Sequence, residues 1–145
     1  MSISSKFSVA IHILSLIELD ETKRASSDYI AKSVQTNPVV IRKIMGLLKK
    51  AGLLETQAGV AGATLAKPID DITLLDVYSA VDVVKENGLF SIHDGTNLDC
   101  IVGRNIQQTV EPIFIAAQFA MEKVLANVSM KDVLDKIQLD EQQKA

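Results

Sequence analysis

Residues 37–52, Asn-Pro-Val-Val-Ile-Arg-Lys-Ile-Met-Gly-Leu-Leu-Lys-Lys-Ala-Gly, predict a helix with signals at both ends. Asn37 is a favoured N-cap, Pro38 suits the first helical position, and Gly52 predicts the C-terminal stop. The predicted inward face is apolar and consists of Ile41, Ile44, Met45 and Leu48. The outward positions include Arg42, Lys43, Gly46, Lys49 and Lys50.

The segment before this helix predicts a shorter partner helix. Ser26 and Ser27 precede it, and Ile30, Ala31 and Val34 form its inward face. Gln35 and Thr36 leave only a tight connection to Asn37. Two helices joined by about three residues, the second basic outside and apolar inside, fit a helix-turn-helix.

A β-hairpin is predicted directly after the helix-turn-helix. Leu53–Thr56 and Ala63–Ala66 are candidate strands, and the small residues between them, 57–62, form a flexible turn. A hairpin in this place is the wing of a winged helix. The sequence therefore predicts a mainly α fold, a winged helix-turn-helix with a two-stranded β wing.

Helices are predicted on both sides of this unit. Ser4 and Ser5 are candidate N-caps for an N-terminal helix that is apolar on two sides, and another helix follows Pro68 over residues 72–78. Residues 85–105 are rich in Gly, Asn and Asp and predict a loop. A long apolar helix is expected from 106 to 128, with Pro112 either in its first turn or at a kink. We expect it to form a dimer interface, followed by a short helix from Ser129 and a frayed tail from Gln138.

Charge is distributed unevenly along the 145 residues, whose net charge is −3. Residues 1–67 carry nine basic and five acidic side chains, a balance of +4, and residues 68–145 carry six and thirteen, a balance of −7. A basic N-terminal half favours binding of a polyanion, although chance clustering would give the same asymmetry.

The single cysteine, Cys100, excludes an internal disulfide framework and any metal or cluster site that needs several thiolates from one chain. No apolar run approaches the roughly 18 residues of a membrane span. Lys6 and His12 interrupt the apolar N-terminus, so no signal peptide is predicted either. We therefore expect a cytoplasmic protein.

Several segments together resemble one family. They are residues 5–14 (Ser-Lys-Phe-Ser-Val-Ala-Ile-His-Ile-Leu), 30–31, 44–53 (Ile-Met-Gly-Leu-Leu-Lys-Lys-Ala-Gly-Leu), 59–62, 65–68 and 72–77. In this order they resemble the Rrf2 family of bacterial transcription regulators, which includes the iron–sulfur cluster regulator, the nitric-oxide-sensing repressor and the cysteine-metabolism repressor. The resemblance implies a homodimer that binds double-stranded operator DNA. It also implies two parts, a winged helix-turn-helix DNA-binding domain over residues 1–80 and a sensor loop with dimerisation helices over 81–145.

The sequence departs from this family in two places. Relatives that bind an iron–sulfur cluster carry three cysteines in the sensor loop, where this chain has Cys100 alone, so we expect no cluster, no other cofactor and no metal site. Many relatives also have an Arg just before the first glycine of the wing, where this chain has Ala58. We therefore expect the wing to contact the DNA backbone more than the bases.

The predicted DNA-binding residues lie on or near the second helix of the helix-turn-helix, on the N-terminal helix and in the wing. They are Lys6, Thr36, Asn37, Val39, Arg42, Lys43, Lys49, Lys50 and Gln57. Arg42 is the candidate for a bidentate guanine contact and Lys43 for a base or phosphate, whereas Lys6, Lys49 and Lys50 are candidate phosphate contacts. For each of them a merely solvated helix face is the alternative.

The candidate sensor is Cys100, with His93 and Arg104 as groups that would stabilise its thiolate. A thiol of lowered pKa reacts with oxidants, so an oxidant or another small molecule is the expected effector. The alternative is a loop cysteine that only fills space.

No catalytic triad, paired carboxylates, phosphate-binding glycine loop or metal-ligand spacing is present, so an enzyme is not predicted. The expected function is that of a dimeric DNA-binding transcription regulator, a repressor, with the one loop cysteine as the candidate point of modulation. The alternative is a winged-helix protein-interaction module that no longer binds DNA. DNA binding that depends on phosphate contacts weakens steeply as the salt concentration rises, so the salt dependence of binding distinguishes the two functions.

Overall fold

The computed structural model describes residues 2–82, 90 and 92–144 and is mainly helical, as predicted. Its elements in chain order are α1 (Ile3–Leu19), α2 (Ser27–Val34), α3 (Pro38–Lys50), β1 (Leu54–Glu55), β2 (Thr64–Leu65), a 3-10 turn (Ile69–Asp71), α4 (Leu74–Val81), α5 (Ile101–Ala126) and α6 (Met130–Lys144). This arrangement confirms the winged helix-turn-helix fold. None of the described helices is both long and apolar enough to cross a membrane.

Both predicted ends of α3 are confirmed. The side chain of Asn37 accepts a hydrogen bond from the N–H of Val39 at 2.8 Å. Gly52 has a φ of +80°, and its N–H donates to the carbonyl of Lys49 at 3.0 Å. The N–H of Leu53 donates to the carbonyl of Leu48, also at 3.0 Å. These two bonds form a Schellman motif, which requires the left-handed conformation that glycine adopts without strain.

The hydrophobic core lies where α1, α2, α3 and α4 meet. α3 buries Ile41, Ile44 and Leu48, which recur at helical spacing, and α2 contributes Ile30 and Ala31. From α1 the core receives Ala10, Ile13, Leu14 and Ile17, all fully buried. Because α3 packs against α1, α2 and α4 through one face, its opposite face is left to solvent.

The wing is a short antiparallel hairpin. Leu54 pairs with Leu65 and Glu55 with Thr64, so both strands are shorter than the sequence predicted. Ala25, just before α2, forms an isolated bridge with Ala63. This bridge joins the base of the wing to the loop between α1 and α2.

The sequence prediction was wrong about the start of α1 and the end of α6. Ser2, rather than Ser4 or Ser5, caps α1, and its hydroxyl accepts from the N–H of Ser5. The tail expected to fray from Gln138 is helical to Lys144. Lys131 pairs with Asp135 at 2.8 Å, and Lys136 pairs with Asp140 at 2.9 Å. Both pairs have the i, i+4 spacing that favours helix in an otherwise polar segment.

The start of α5 also differs from the prediction. The helix begins at Ile101, five residues before the expected start, with Cys100 in the N-cap position. Pro112 therefore lies inside the helix and outside its first turn, and because proline has no N–H, the carbonyl of Gln108 lacks its usual helical donor. Of the loop predicted over 85–105, residues 85–89 and 91 lie outside the described residues.

The last helix returns to the N-terminal core. The N–H of Met130 donates to the carbonyl of Ile72 at 2.7 Å, and the N–H of Leu74 donates to the carbonyl of Val128 at 2.8 Å. Met130 is fully buried and Leu134 almost so. The predicted boundary between residues 80 and 81 stays a prediction, but α6 is tied to the core formed by residues before it.

Candidate nucleic-acid interface

The outer face of α3 is an exposed cationic surface. Arg42, Lys43, Lys49 and Lys50 are all exposed, and α3 contains no acidic residue. Within the described ranges, none of these four cations forms an ion pair. Unpaired cations on one face of a rigid helix are available to neutralise phosphates.

Gly46 lies in the middle of this face, one turn after Arg42 and one turn before Lys49 and Lys50. A Cβ added there would meet no described atom within 4 Å. Packing inside the protein therefore does not require glycine at this position, although glycine weakens a helix interior. The absence of a side chain instead leaves the α3 backbone open to close approach from outside.

The N-terminal end of α3 presents a mixture of polar and apolar groups. Val39 is 52% exposed, which is high for an aliphatic side chain. Asn37 is exposed, but its side-chain oxygen is occupied by the N-cap bond to Val39. Thr36 is half-buried, and its N–H donates to the carbonyl of Ala31 at 3.2 Å. In the side chain of Asn37 the amide nitrogen remains to donate to a ligand, and Val39 is available for an apolar contact.

The remaining predicted DNA-binding residues belong to elements beside α3. Lys49 is exposed and donates from Nζ to Oγ1 of Thr56 at 2.6 Å, which links the end of α3 to the start of the wing. Gln57 is exposed at the wing, and its carbonyl accepts from the N–H of Val60 at 3.2 Å. Lys6 is half-buried on α1, which packs against α3.

The candidate sensor Cys100 is exposed at the N-terminus of α5. The backbone N–H groups of Gly103 and Val102 lower the pKa of its thiol, because they stabilise the thiolate. The guanidinium of Arg104 donates to the carbonyls of Leu98 and Asp99, both at 3.2 Å. Arg104 therefore holds the loop in place, while the helix N-terminus stabilises the thiolate. His93 is exposed in the same segment.

Gly103 allows this loop to lie close to the first turn of α5. A Cβ at Gly103 would collide with the backbone carbonyl of Asn97. The hydroxyl of Thr96 donates to the carbonyl of Gly103 at 2.8 Å. The position of Cys100 thus depends on a close backbone contact that only glycine permits.

Comparison with known proteins identifies the family. The family profile described as "Iron-dependent Transcriptional regulator" matches residues 3–136. The chain belongs to the Rrf2 family. The regulators of this family are not enzymes, which confirms that no enzymatic activity is to be expected of this chain.

Individual relatives agree with this assignment. The Bacillus subtilis (strain 168) protein named "Putative HTH-type transcriptional regulator YwnA" is 50% identical over 133 residues, which are 92% of this chain and 97% of that protein. A solved structure described as "Crystal structure of a putative DNA binding protein" has 47% identity and a TM-score of 0.71, and the match covers 89% of this chain and 98% of that one. The structure of CymR, the global cysteine regulator of B. subtilis, matches with a TM-score of 0.66 over 93% of this chain and 97% of its own. At 18% identity, the likeness to CymR shows the fold alone.

The residues of this chain do not fit the iron dependence in the description of the Rrf2 family. Cys100 is the only cysteine. Among the described residues, no three or more His, Cys, Asp or Glu side chains come together in a group that could hold a metal ion. A thiolate-held iron site needs several such ligands, and the described residues do not supply them.

Sequence reasoning missed the role of Arg24, which it counted only as one of nine basic side chains. Its Nη1 donates to the carbonyls of Ala61 and Gly62 in the wing, at 3.3 and 3.2 Å. Nothing in the local sequence indicates this contact, because the partners lie 37 and 38 residues away and meet only in the folded hairpin.

Proposed function

We propose that this Rrf2-family chain is a homodimeric repressor that acts in the cytoplasm and places α3 in the major groove of operator DNA. The observation that supports this most is the outer face of α3, whose four exposed cations form no ion pair with any described residue. A polyanion is the partner that such a surface favours, and a helix with fixed ends is suited to enter a groove.

The residues of the interface take different roles in this proposal. Arg42 reads a guanine edge, because its planar guanidinium can donate two parallel bonds to O6 and N7. Lys43 reaches a base or a phosphate, and Lys6, Lys49 and Lys50 neutralise phosphates. Thr36, Asn37 and Val39 lie at the end of α3 that enters the groove. Gln57 contacts the DNA backbone from the wing.

The dimer is proposed to form through α5. This helix has 26 residues, about 39 Å at 1.5 Å per residue, and none of them is buried. Ile113, Ile115, Phe119 and Val124 are between 61 and 68% exposed. Ile113 and Val124 lie on the same side of the helix, three turns apart. Exposed apolar side chains of this kind mark an interaction site, and a second copy would cover them symmetrically.

A charged residue on the apolar side of α5 tests the dimer. We expect Ile113→Glu to convert the protein to monomer in sedimentation analysis, because a carboxylate would be desolvated in the interface. Gln107→Glu introduces the same charge at an exposed position on another side of α5 and should leave the dimer intact. Equal behaviour of the two variants would contradict an interface at Ile113.

Modulation through Cys100 is the last part of the proposal. Its exposure and lowered pKa favour attack of the thiolate on a peroxide, which forms the S–O bond of a sulfenic acid, breaks the O–O bond and releases hydroxide. We expect peroxide to change the affinity of the wild type for DNA and to leave that of Cys100→Ser unchanged. An unaltered peroxide response in Cys100→Ser would refute the sensor role.

Selection of bound DNA from genomic fragments, with reduced and with oxidised protein, tests the function as a whole. An approximately palindromic site is expected, with half-sites about 34–36 Å apart, because the two α3 helices of a dimer meet successive turns of the groove. Failure to enrich any sequence would support the alternative of a protein-interaction module. The absence of charged side chains from residues 56–66 of the wing favours this alternative.

A further inference from the structure

The wing of this protein contains no charged side chain from Thr56 to Ala66. Its two strands have only two residues each, so its own hydrogen bonds hold it weakly in place. The orientation of such a hairpin must be fixed by neighbouring elements. The structure shows contacts from neighbouring elements on both arms of the hairpin.

Arg24 makes the contact with the returning arm. Its Nη1 lies 3.3 Å from the carbonyl oxygen of Ala61 and 3.2 Å from that of Gly62, and the residue is half-buried. Hydrogen bonds from a charged donor are stronger than those between neutral groups. One guanidinium therefore holds two consecutive carbonyls at the end of the turn.

The backbone beside Arg24 fits closely against the same arm. Ala25 and Ala63 exchange two hydrogen bonds, at 3.3 and 3.0 Å, and both residues are buried. Gly62 has a φ of +86°, and a Cβ there would lie 3.0 Å from both the carbonyl oxygen of Ala25 and Cγ of Arg24. This close fit transmits the position of the α1–α2 loop directly to the wing.

The α1–α2 loop is itself held by local hydrogen bonds. The carboxylate of Asp20 accepts from the N–H of Thr22 at 3.0 Å and from its hydroxyl. The same Thr22 hydroxyl lies 3.0 Å from the carbonyl oxygen of Arg24 and within reach to donate to it. Arg24 therefore contacts the wing from a loop whose conformation is fixed by its own hydrogen bonds.

The outgoing arm is held from the other side by Lys49 of α3, through its 2.6 Å bond to Thr56. We propose that Arg24 is a positioning residue for DNA binding, which fixes the wing relative to α3 so that the wing reaches the DNA flanking the groove that α3 occupies. This inference rests on the proposed function, since only a DNA-binding protein requires the wing and α3 to be in register.

Amide hydrogen exchange of the DNA-free protein tests the positioning directly. In Arg24→Ala we expect the amides of residues 60–66 to exchange about tenfold faster. Local opening of the wing costs less free energy in this variant, because the hydrogen bonds from Arg24 no longer have to be broken. The amides of α3 should be unchanged. Lys23→Ala is the matched control, because it removes one positive charge from the same loop and its partner is Glu18, away from the wing.

The conservative variant Arg24→Lys keeps the charge and one donor, so it should restore at least half of the lost protection on a logarithmic scale. Should Arg24→Ala fail to fold, Arg24→Lys and Arg24→Gln carry the same comparison, with faster exchange in the neutral variant. Unchanged exchange in Arg24→Ala, or the same increase in Lys23→Ala, would overturn the inference.

Hydroxyl-radical footprinting on the selected operator provides the functional readout. Arg24→Ala should lose protection at the flanks and keep it where α3 binds, with an affinity about 3- to 10-fold lower. Full flank protection in this variant would overturn the positioning role. If the wild type binds no DNA while the exchange result is as expected, the proposed function fails and the local role of Arg24 in holding the wing stands.

Discussion

Replacing Gly46 by Ala should have opposite effects on folding and on DNA binding. Gly46 lies in the interior of α3, it is exposed, and an added Cβ meets no described atom within 4 Å. Alanine is better than glycine in a helix interior by about 0.5–1 kcal/mol, and no clash offsets that gain. We therefore expect the free energy of unfolding to rise by about that amount, which corresponds to about 2–4 °C in Tm for a chain of this size.

The same methyl group is expected to weaken operator binding. Gly46 lies between Arg42 and Lys50 on the surface that we propose to face the major groove. A methyl group inserted into a close-fitting contact costs about 1–3 kcal/mol, which is about 5- to 150-fold in Kd. Binding to non-specific DNA, which depends mainly on phosphates, should change much less.

Two assays on the same protein preparation check this pair of effects. Thermal unfolding at matched protein concentration measures the stability, and fluorescence anisotropy with operator and non-operator duplexes measures the affinity. A variant that is more stable and binds the operator as tightly as the wild type would refute close approach of DNA at Gly46. A variant that is no more stable would refute the conclusion that glycine weakens α3 at this position.

Four further outcomes are expected. Arg42→Ala should lose about 1–3 kcal/mol of operator binding and much less of non-specific binding, measured by competition, and equal losses would contradict base reading. Gly62→Ala should lower the free energy of unfolding by more than 1 kcal/mol in denaturant titration, since φ is +86° and the carbonyl of Ala25 is in the way; an unchanged midpoint would contradict this. Thr73→Ala should cost about 1 kcal/mol in the same assay, because it removes the capping box of α4, and a loss below a few tenths would count against that cap. The alkylation rate of Cys100 should rise with pH to a midpoint below that of the unfolded protein, about 8.5, because the lowered pKa leaves more thiolate at neutral pH; coincident midpoints would contradict the role of the helix N-terminus.

The sequence predicted the helix-turn-helix well because its signals are local. Asn37, Pro38 and Gly52 act within one turn of the helix that they delimit. The spacing of the apolar residues in α3 predicts which of them are buried. The wing was located for the same reason, since small residues separate two short apolar segments. Local signals could not predict how the wing is attached to the α1–α2 loop, because the bridge from Ala25 to Ala63 joins residues far apart in the chain.

The C-terminal part was predicted less well. Gln138 lies in a polar segment that suggests a frayed tail, but Met130 and Leu134 anchor α6 to the core and i, i+4 ion pairs extend it. The start of α5 was placed too late because Gly103 is usually a sign of a loop. Here Gly103 lies in the first turn of the helix because the backbone of Asn97 packs against it. The burial of Met130 and Leu134 is a tertiary contact that local patterns do not contain, whereas the contact of Asn97 with Gly103 depends on a loop conformation that residue types alone do not predict.

The candidate interface was predicted as a set of residue types, and the structure adds how they are placed. Four cations share the outer face of α3, whereas Asn37 uses its side-chain oxygen in the N-cap and Lys49 is bonded to the wing. Arg24 could not be singled out, because charge alone does not distinguish it from the other basic residues.

The salt dependence of operator binding tests DNA recognition by α3 most directly. For a dimer that neutralises six to eight phosphates, log K should fall linearly with log salt concentration, with a slope of about −5 to −7. Lys50→Ala removes one phosphate contact from each copy, so its slope should be less steep by about 2. Binding that does not depend on salt, or a slope that Lys50→Ala leaves unchanged, would contradict the assignment of the α3 outer face to DNA.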